Sequence, residues 1–292
     1  MPKTFDIELG DGTRIAILHE DRSVLAIDKP RGWMLVPYSW QKTNRNLQAA
    51  LVSSIAAGQF WARSRGIRFL RHVHRLDADT TGVLLLAKSR GALDTFSDLF
   101  ESRRMNKVYL AVAHGEPTER EWTCRARLAP DPRQVGRMRI DARAGKEAET
   151  QFKLLATRAG LSLIEARPVT GRTHQIRLHL VESGLSIVGD ELYGRTPGAK
   201  QYPSRVAATV RSQAESSSGN KNDAAAQPRD SLSRDLTVVA TRAKSAPAGK
   251  SAWLGLRAVE LGYADPFTGR RVRIVAPREA FLAGHGFQGY GK

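Results

Sequence analysis

The chain has 292 residues, 41% of them apolar, which is enough for a folded core and excludes wholesale disorder or a collagen-like fibre. Its 46 Lys plus Arg exceed 29 Asp plus Glu by a formal +17, a surplus that either serves solubility or faces a polyanion such as nucleic acid. Cys124 is the single cysteine, so there is no internal disulfide framework, and no window approaches the ~18 consecutive apolar residues of a membrane helix. The opening MPKTFDIELG lacks the apolar region of a signal peptide, and the expectation is a soluble, cytoplasmic protein. The first thirty-odd residues read as short strands with turns at Gly10-Asp11-Gly12 and Pro30-Arg31-Gly32. Residues 46–61 carry Leu47, Leu51, Ile55 and Phe60 at near-helical spacing. Val83–Ala87 is an unbroken apolar run, the pattern of a strand covered on both faces. Ser89 is placed to cap a helix with Leu93, Phe96, Leu99 and Phe100 in one stripe and Arg103-Arg104 at its end. Val108–Ala113 and Leu161–Ala166 read as strands. Thr170-Gly171 opens a further helix, with Ile176 and Leu180 on one face and Gly184 as its stop. Val259, Leu261 and Tyr263 alternate into a turn at Asp265–Gly269, and the chain returns through Val272 and Ile274 as a hairpin.

Residues 196–250 differ in kind. They are rich in Ala, Ser, Arg and Lys and contain no Phe or Trp. Such a segment buries too little to offset the entropy of ordering, so it reads as an exposed, largely disordered insertion. Val206–Val210 and Leu236–Ala240 are candidate stubs of structure at its edges. It serves either as an inert spacer or as a loose RNA-contacting arm. The remainder is sized for one domain.

Phosphate-binding glycine loops, the dinucleotide fingerprint and the esterase elbow are all missing. His72-Val-His74-Arg-Leu-Asp77 superficially resembles the metal-binding run of binuclear zinc hydrolases, but the Asp is one residue late and the closing His is replaced by Ala78-Asp79. What remains is His74-Arg75-Leu76-Asp77-Ala78-Asp79-Thr80-Thr81-Gly82, two carboxylates and two hydroxyls on a loop before a buried strand, which reads as a catalytic loop or as an ordinary turn. Thr170-Gly171-Arg172-Thr173-His174-Gln175-Ile176-Arg177-Leu178-His179 crowds polar residues around a helix start, where free N–H groups favour anions.

These two segments resemble the signature and third motif of the RluA-type RNA pseudouridine synthases. Asp28-Lys29-Pro30-x-Gly32 resembles that family's first motif, and Lys107-Val-Tyr109-Leu-Ala111 resembles the motif with its active-site tyrosine. Gly189-Asp190-x-x-Tyr193-Gly194 continues the third motif, and the match resumes at Leu254–Pro277. Thr81 stands where Ser is usual, and Arg257-Ala258 replaces His-Ala. The resemblance implies an α+β fold, a mixed and mostly antiparallel sheet with flanking helices and a central basic cleft. It implies one catalytic domain over 1–292, with its motif-bearing core at about 20–194 and 251–280; because the first motif begins almost at once, no N-terminal S4 domain is expected. The implied activity is isomerisation of uridine in ribosomal or transfer RNA, without metal or other cofactor; a monomer is the default expectation, and the composition points away from membranes. The alternative is an inactive RNA-binding protein of the same fold.

By the same resemblance Asp77 is the nucleophile, Arg177 its cation and Tyr109 the ring that stacks on the target uracil or serves as a base. A planar guanidinium can hold a carboxylate by two hydrogen bonds, which would keep a desolvated Asp77 ionised. A stacked uracil must be flipped out to react, and Arg75 is the candidate to fill the vacated space, with an Asp79 salt bridge as its plainer role. Lys29, Arg172, Arg103, Arg104 and His74 complete the expected RNA-binding set.

Overall fold

The computed structural model describes residues 5–35, 45–194 and 253–290. The expectations for 196–250, including both stubs, lie outside the described residues. Three strands open the chain, β1 (Asp6–Glu8), β2 (Arg14–Glu20) and β3 (Val24–Lys29). The helical pattern over 46–61 divides into α1 (Leu47–Ala56) and α2 (Phe60–Arg63), because Gly58 between them takes a φ of +63° that no helix continues. Trp61 consequently enters the core, while Phe60 remains partly exposed.

After β4 (Arg71–His72) comes β5 (Thr81–Ala87), and its unbroken apolar run is covered on both sides. Leu84 and Leu86 pack with Leu47, Leu51 and Trp61, whereas Val83, Leu85 and Ala87 pack with Phe96 and Leu99. Those last two lie on α3 (Arg90–Glu101), which starts where Ser89 Oγ accepts the Ala92 N–H at 3.1 Å. The chain continues through β6 (Asn106–His114), β7 (Glu121–Cys124), a two-stranded hairpin of β8 (Leu128–Pro130) and β9 (Met138–Ile140), β10 (Thr150–Arg158) and β11 (Leu161–Pro168). Then follow α4 (Gln175–Glu182), β12 (Ser186–Ile187), β13 (Leu256–Ala264), β14 (Arg271–Val275) and α5 (Glu279–Gly284). The α4 helix begins at Gln175, four residues beyond Gly171, with His174 in the left-handed region as its N-cap, and stops at Gly184.

Twelve strands join in one sheet, ordered β1-β2-β3-β5-β13-β6-β11-β10-β7, with β4, β12 and β14 paired alongside. Between named strands among the described residues, β13 with β5 is the parallel pairing, and the other pairings are antiparallel. Helices cover both faces, α1, α2 and α4 on one and α3 and α5 on the other. This is the α+β architecture of a mixed, mostly antiparallel sheet.

The sheet centre sets the stage for chemistry. Ala258 of β13 lies opposite Gly82 of β5 on one side and Tyr109 of β6 on the other, and Tyr109 in turn lies opposite Ala166 of β11. Gly82 has a φ of +109°, and a Cβ there would collide with the Ala258 carbonyl, so glycine is what allows β13 to close on β5. Directly opposed residues share a face of the sheet, so Tyr109 is flanked by two alanines.

Candidate active site

Asp77 sits on the loop between β4 and β5, and the loop is tied down from below by a lysine. Lys29 ends β3 at 0% exposure, and its Nζ donates to the carbonyls of Ala78 at 2.8 Å, Pro30 at 3.0 Å and Thr80 at 3.1 Å. Burial lowers its amine to about 8, against the pull of the Asp77 and Asp79 carboxylates. The phosphate contact expected of Lys29 is thus corrected: the side chain never reaches solvent and instead ties the loop just after Asp77 to the end of β3.

Arg177 projects from the first turn of α4, and its two-bond fork goes elsewhere than expected. Nε and Nη2 grip Asp190 at 2.8 and 2.7 Å, and only Nη1 reaches Asp77 Oδ2, at 3.2 Å. The Asp190 side chain is 1% exposed and that of Arg177 is 8% exposed. Burial would raise the Asp190 carboxyl, but the Arg177 hydrogen bonds and charge, with the Tyr193 and Leu192 N–H groups, together outweigh it and hold it below the ordinary range. Burial likewise opposes the Arg177 charge, and the two carboxylates more than restore it. A guanidinium anchored by one aspartate therefore offers its remaining edge to a second, which is 24% exposed. Asp190 also accepts the Leu192 and Tyr193 N–H groups, both at 3.0 Å, which fixes the turn after β12.

The other oxygen of Asp77 faces a histidine. His174 Nε2 lies 3.8 Å from Asp77 Oδ1, and its Nδ1 lies 2.7 Å from the Tyr193 hydroxyl. Burial lowers the His174 imidazole, partly countered by Asp77, so the ring is neutral near pH 7. Tyr193 is buried between two cations, Arg177 at 5.0 Å and Arg137 at 5.3 Å from its ring centre. Tyr109 lies near enough to Asp77 to feel its charge; burial first and that charge second push its phenol up, so it remains protonated. No hydrogen bond to its hydroxyl forms among the described residues.

The remaining candidates separate by exposure. Arg75 is exposed beside Asp77, and its Nη2 donates to Thr173 Oγ1 at 3.3 Å. Asp79 pairs with Arg31 at 3.4 Å, not with Arg75. Arg172 is exposed and donates to the Glu147 carbonyl at 3.0 Å, while Arg103 and Arg104 are exposed just beyond α3. His74 is corrected as an RNA contact. Its ring stacks on Phe100 with centroids 4.5 Å apart, its Nε2 accepts the Leu85 N–H at 3.1 Å, and burial lowers it to about 3. A neutral imidazole used as an acceptor inside the fold gives a phosphate no charge.

Much of the polar run around the α4 start is also turned inward. Gln175 bonds to Thr170, Glu149 and Thr150, and His179 bonds to Thr150 and the Ala126 carbonyl. His72 Nδ1 lies 2.9 Å from Gln48 Oε1. Among the described residues no group of three His, Cys, Asp or Glu side chains is arranged to hold a metal ion, so His72, His74 and Asp77 do not converge on one.

Sequence reasoning missed three participants. Asp190 and Tyr193 stood inside a noted motif without a role. Arg257, noted only as a departure from the family's pattern, is buried. It donates to Asp28 Oδ2 at 2.6 Å, Thr81 Oγ1 at 3.0 Å and the Pro277 carbonyl at 2.8 Å, tying β3, β5 and the end of β14 together.

The family model described as RNA pseudouridylate synthase matches residues 23–182, which span every site residue named except Asp190, Tyr193 and Arg257. Ribosomal large subunit pseudouridine synthase D of Borreliella burgdorferi is 34% identical over 188 residues, covering 63% of this chain and 56% of that protein. Ribosomal large subunit pseudouridine synthase C of Escherichia coli is 36% identical over 179 residues, covering 61% and 53%. The chain thus matches a little over half the length of these curated relatives. Among solved structures, Human RNA Pseudouridylate Synthase Domain Containing 4 matches with a TM-score of 0.59 over 92% of this chain and 90% of that one, at 21% identity. Human RNA Pseudouridylate Synthase Domain Containing 1 gives 0.58 over 90% and 83%, also at 21% identity. At that identity these two speak for the shared fold.

Proposed function

Since the chain belongs to the RNA pseudouridylate synthase family, we propose that it isomerises uridine to pseudouridine in structured RNA, with Asp77 as nucleophile. The observation that carries this reading is the Asp77 carboxylate, partly open to solvent, with Arg177 on one oxygen and the Tyr109 ring nearby. The reaction breaks the N1–C1′ bond, turns the uracil and joins C5 to C1′; C5 gives up its hydrogen as a proton, N1 gains one, and nothing is oxidised or reduced. It therefore needs a stable carboxylate, a surface for the detached base and control of protons, all of which side chains supply.

Arg177, whose own charge is secured by Asp190, donates to Asp77 Oδ2 and orients the carboxylate. A protonated Tyr109 flanked by Ala258 and Ala166 is a stacking surface, and its upward-shifted phenol argues for stacking over service as a general base at neutral pH. The exposed Arg75, beside the loop, is placed to fill the space left by a flipped nucleotide. Arg172, Arg103 and Arg104 are the phosphate contacts that remain once Lys29 and His74 are set aside.

Two relatives are named for the ribosomal large subunit, which favours ribosomal over transfer RNA as substrate. A cytoplasmic monomer is the accompanying reading, with light scattering as its test. Tritium release from RNA labelled at uridine C5 decides the activity. Wild type should release tritium and Asp77→Ala should release none while still binding RNA, because basic side chains elsewhere supply most of the affinity. Equal release from both proteins would remove Asp77 from the chemistry.

A further inference from the structure

We propose that His174 is a positioning residue for Asp77, holding the carboxylate oxygen that Arg177 leaves free, with its ring proton kept on Nε2 by Tyr193. The proposal rests on the functional reading above and adds a residue to it.

The hydrogen-bond directions are set from one end. The Met138 N–H of β9 donates to the Tyr193 hydroxyl oxygen at 2.8 Å. The hydroxyl proton of this buried tyrosine then needs an acceptor, and His174 Nδ1 stands 2.7 Å away. A neutral ring that accepts at Nδ1 carries its proton on Nε2, the atom turned toward Asp77 Oδ1. Asp77 thereby faces donors at both oxygens, a guanidinium N–H within hydrogen-bond range and an imidazole N–H at 3.8 Å, a gap that a modest shift on RNA binding would close.

Backbone conformation agrees with this role. His174 adopts φ 55° and ψ 20°, a region that disfavours residues with a Cβ, and it does so at the α4 N-cap without a capping hydrogen bond from its side chain. The ring instead lies largely buried between Tyr193 and Asp77. The charged and titratable groups that act on it are Asp77, Arg177, Asp190 and Arg75, with Tyr193 in contact. The two negative and two positive side chains among them nearly balance, so burial keeps the ring neutral.

Two measurements test this. Long-range proton–nitrogen NMR of the full chain should show His174 protonated on Nε2, and Tyr193→Phe should shift its proton toward Nδ1. A wild-type ring protonated on Nδ1, or doubly protonated at pH 7, overturns the proposal. In the tritium assay, His174→Leu should lower kcat roughly 10- to 100-fold with KM for RNA nearly unchanged. His174→Gln, whose amide N–H can occupy the Nε2 position, should recover most of the loss. Equal kcat in wild type and His174→Leu, or no advantage of Gln over Leu, also overturns it. Absence of tritium release from wild type would sink the functional reading instead, and the tautomer, read without RNA, distinguishes the two failures.

Discussion

Replacing Lys29 with Met keeps most of the side-chain volume and removes the ammonium group beneath Asp77. Three carbonyls, those of Pro30, Ala78 and Thr80, lose a donor. At about 1–2 kcal/mol for each such group the loss is roughly 3–6 kcal/mol. Against this stands the burial of the charge itself. The amine moves from 10.5 to about 8, worth about 3 kcal/mol at roughly 1.4 kcal/mol per pH unit. Lys29→Met should therefore cost about 0–3 kcal/mol at pH 7, a modest change for a fully buried lysine. Activity should suffer far more, roughly 100-fold in kcat, because displacement of the catalytic loop by about 1 Å is enough for that.

The pH dependence separates these effects. Above about pH 8 the folded protein sheds the Lys29 proton, while the unfolded chain holds it to about 10.4. The unfolded state then binds more protons, so stability from this group rises with pH between the two values. Activity should move the opposite way, since a neutral amine has two N–H donors for three carbonyls. Chemical denaturation of wild type and Lys29→Met at pH 7, 8 and 9.5 reads the difference and cancels other groups, including Lys107, which burial also lowers to about 8. Wild type should gain about 2 kcal/mol on the variant across that range. Parallel stability curves, or full activity in the variant, would refute the assignment of Lys29 as the charged support of the loop.

Asp190→Asn should lower Tm by roughly 10 °C, because removing one partner of a buried ion pair costs about 3–5 kcal/mol, and it should abolish tritium release. Asp190 is held below its ordinary value, so its stabilisation is present above about pH 4 and fades as pH falls through the folded value. The Asp190→Asn stability curve should accordingly be flatter than wild type between pH 5 and 3. Arg177→Lys should lose both stability and turnover, since one ammonium cannot serve Asp190 and Asp77 in the observed geometry; a stable, active Lys variant would contradict the shared-guanidinium account. Gly82→Ala should fail to yield soluble folded protein or unfold at least 10 °C lower by calorimetry, as the added methyl meets the Ala258 carbonyl.

Much of the framework was legible because its signals are local. The apolar run of β5, the Ser89 cap, the Gly184 stop and the turn at Asp265–Gly269 each depend on residues close in sequence, and each lies where the pattern places it. The alliances of charged side chains were not legible. Nothing in the letters distinguishes a lysine that faces phosphate from one that faces three carbonyls, and Lys29 took the second course because β3 runs directly under the Asp77 loop. Arg177 and Asp190 are brought together only when the chain turns back through β12. The α4 start was misplaced for a related reason: Gly171 has the composition of a helix opener, but His174 makes the turn in a conformation usually left to glycine.

The central place of β13 bears on when the Asp77 site can first assemble during synthesis. By residue 194 a nascent chain already contains Asp77, Tyr109, Arg177 and Asp190, yet β5 and β6 still lack the strand that lies between them. Sixty-eight residues separate the end of β12 at Ile187 from the start of β13 at Leu256, and bringing together points so far apart in the chain carries an entropic cost of several kcal/mol. Only then does Arg257 arrive to join Asp28 with Thr81. The Asp77 site is consequently a late product of translation. A ribosome-bound fragment ending before β13 would present an open pair of strand edges, and a stalled chain of that length would call for chaperone protection rather than premature engagement of RNA.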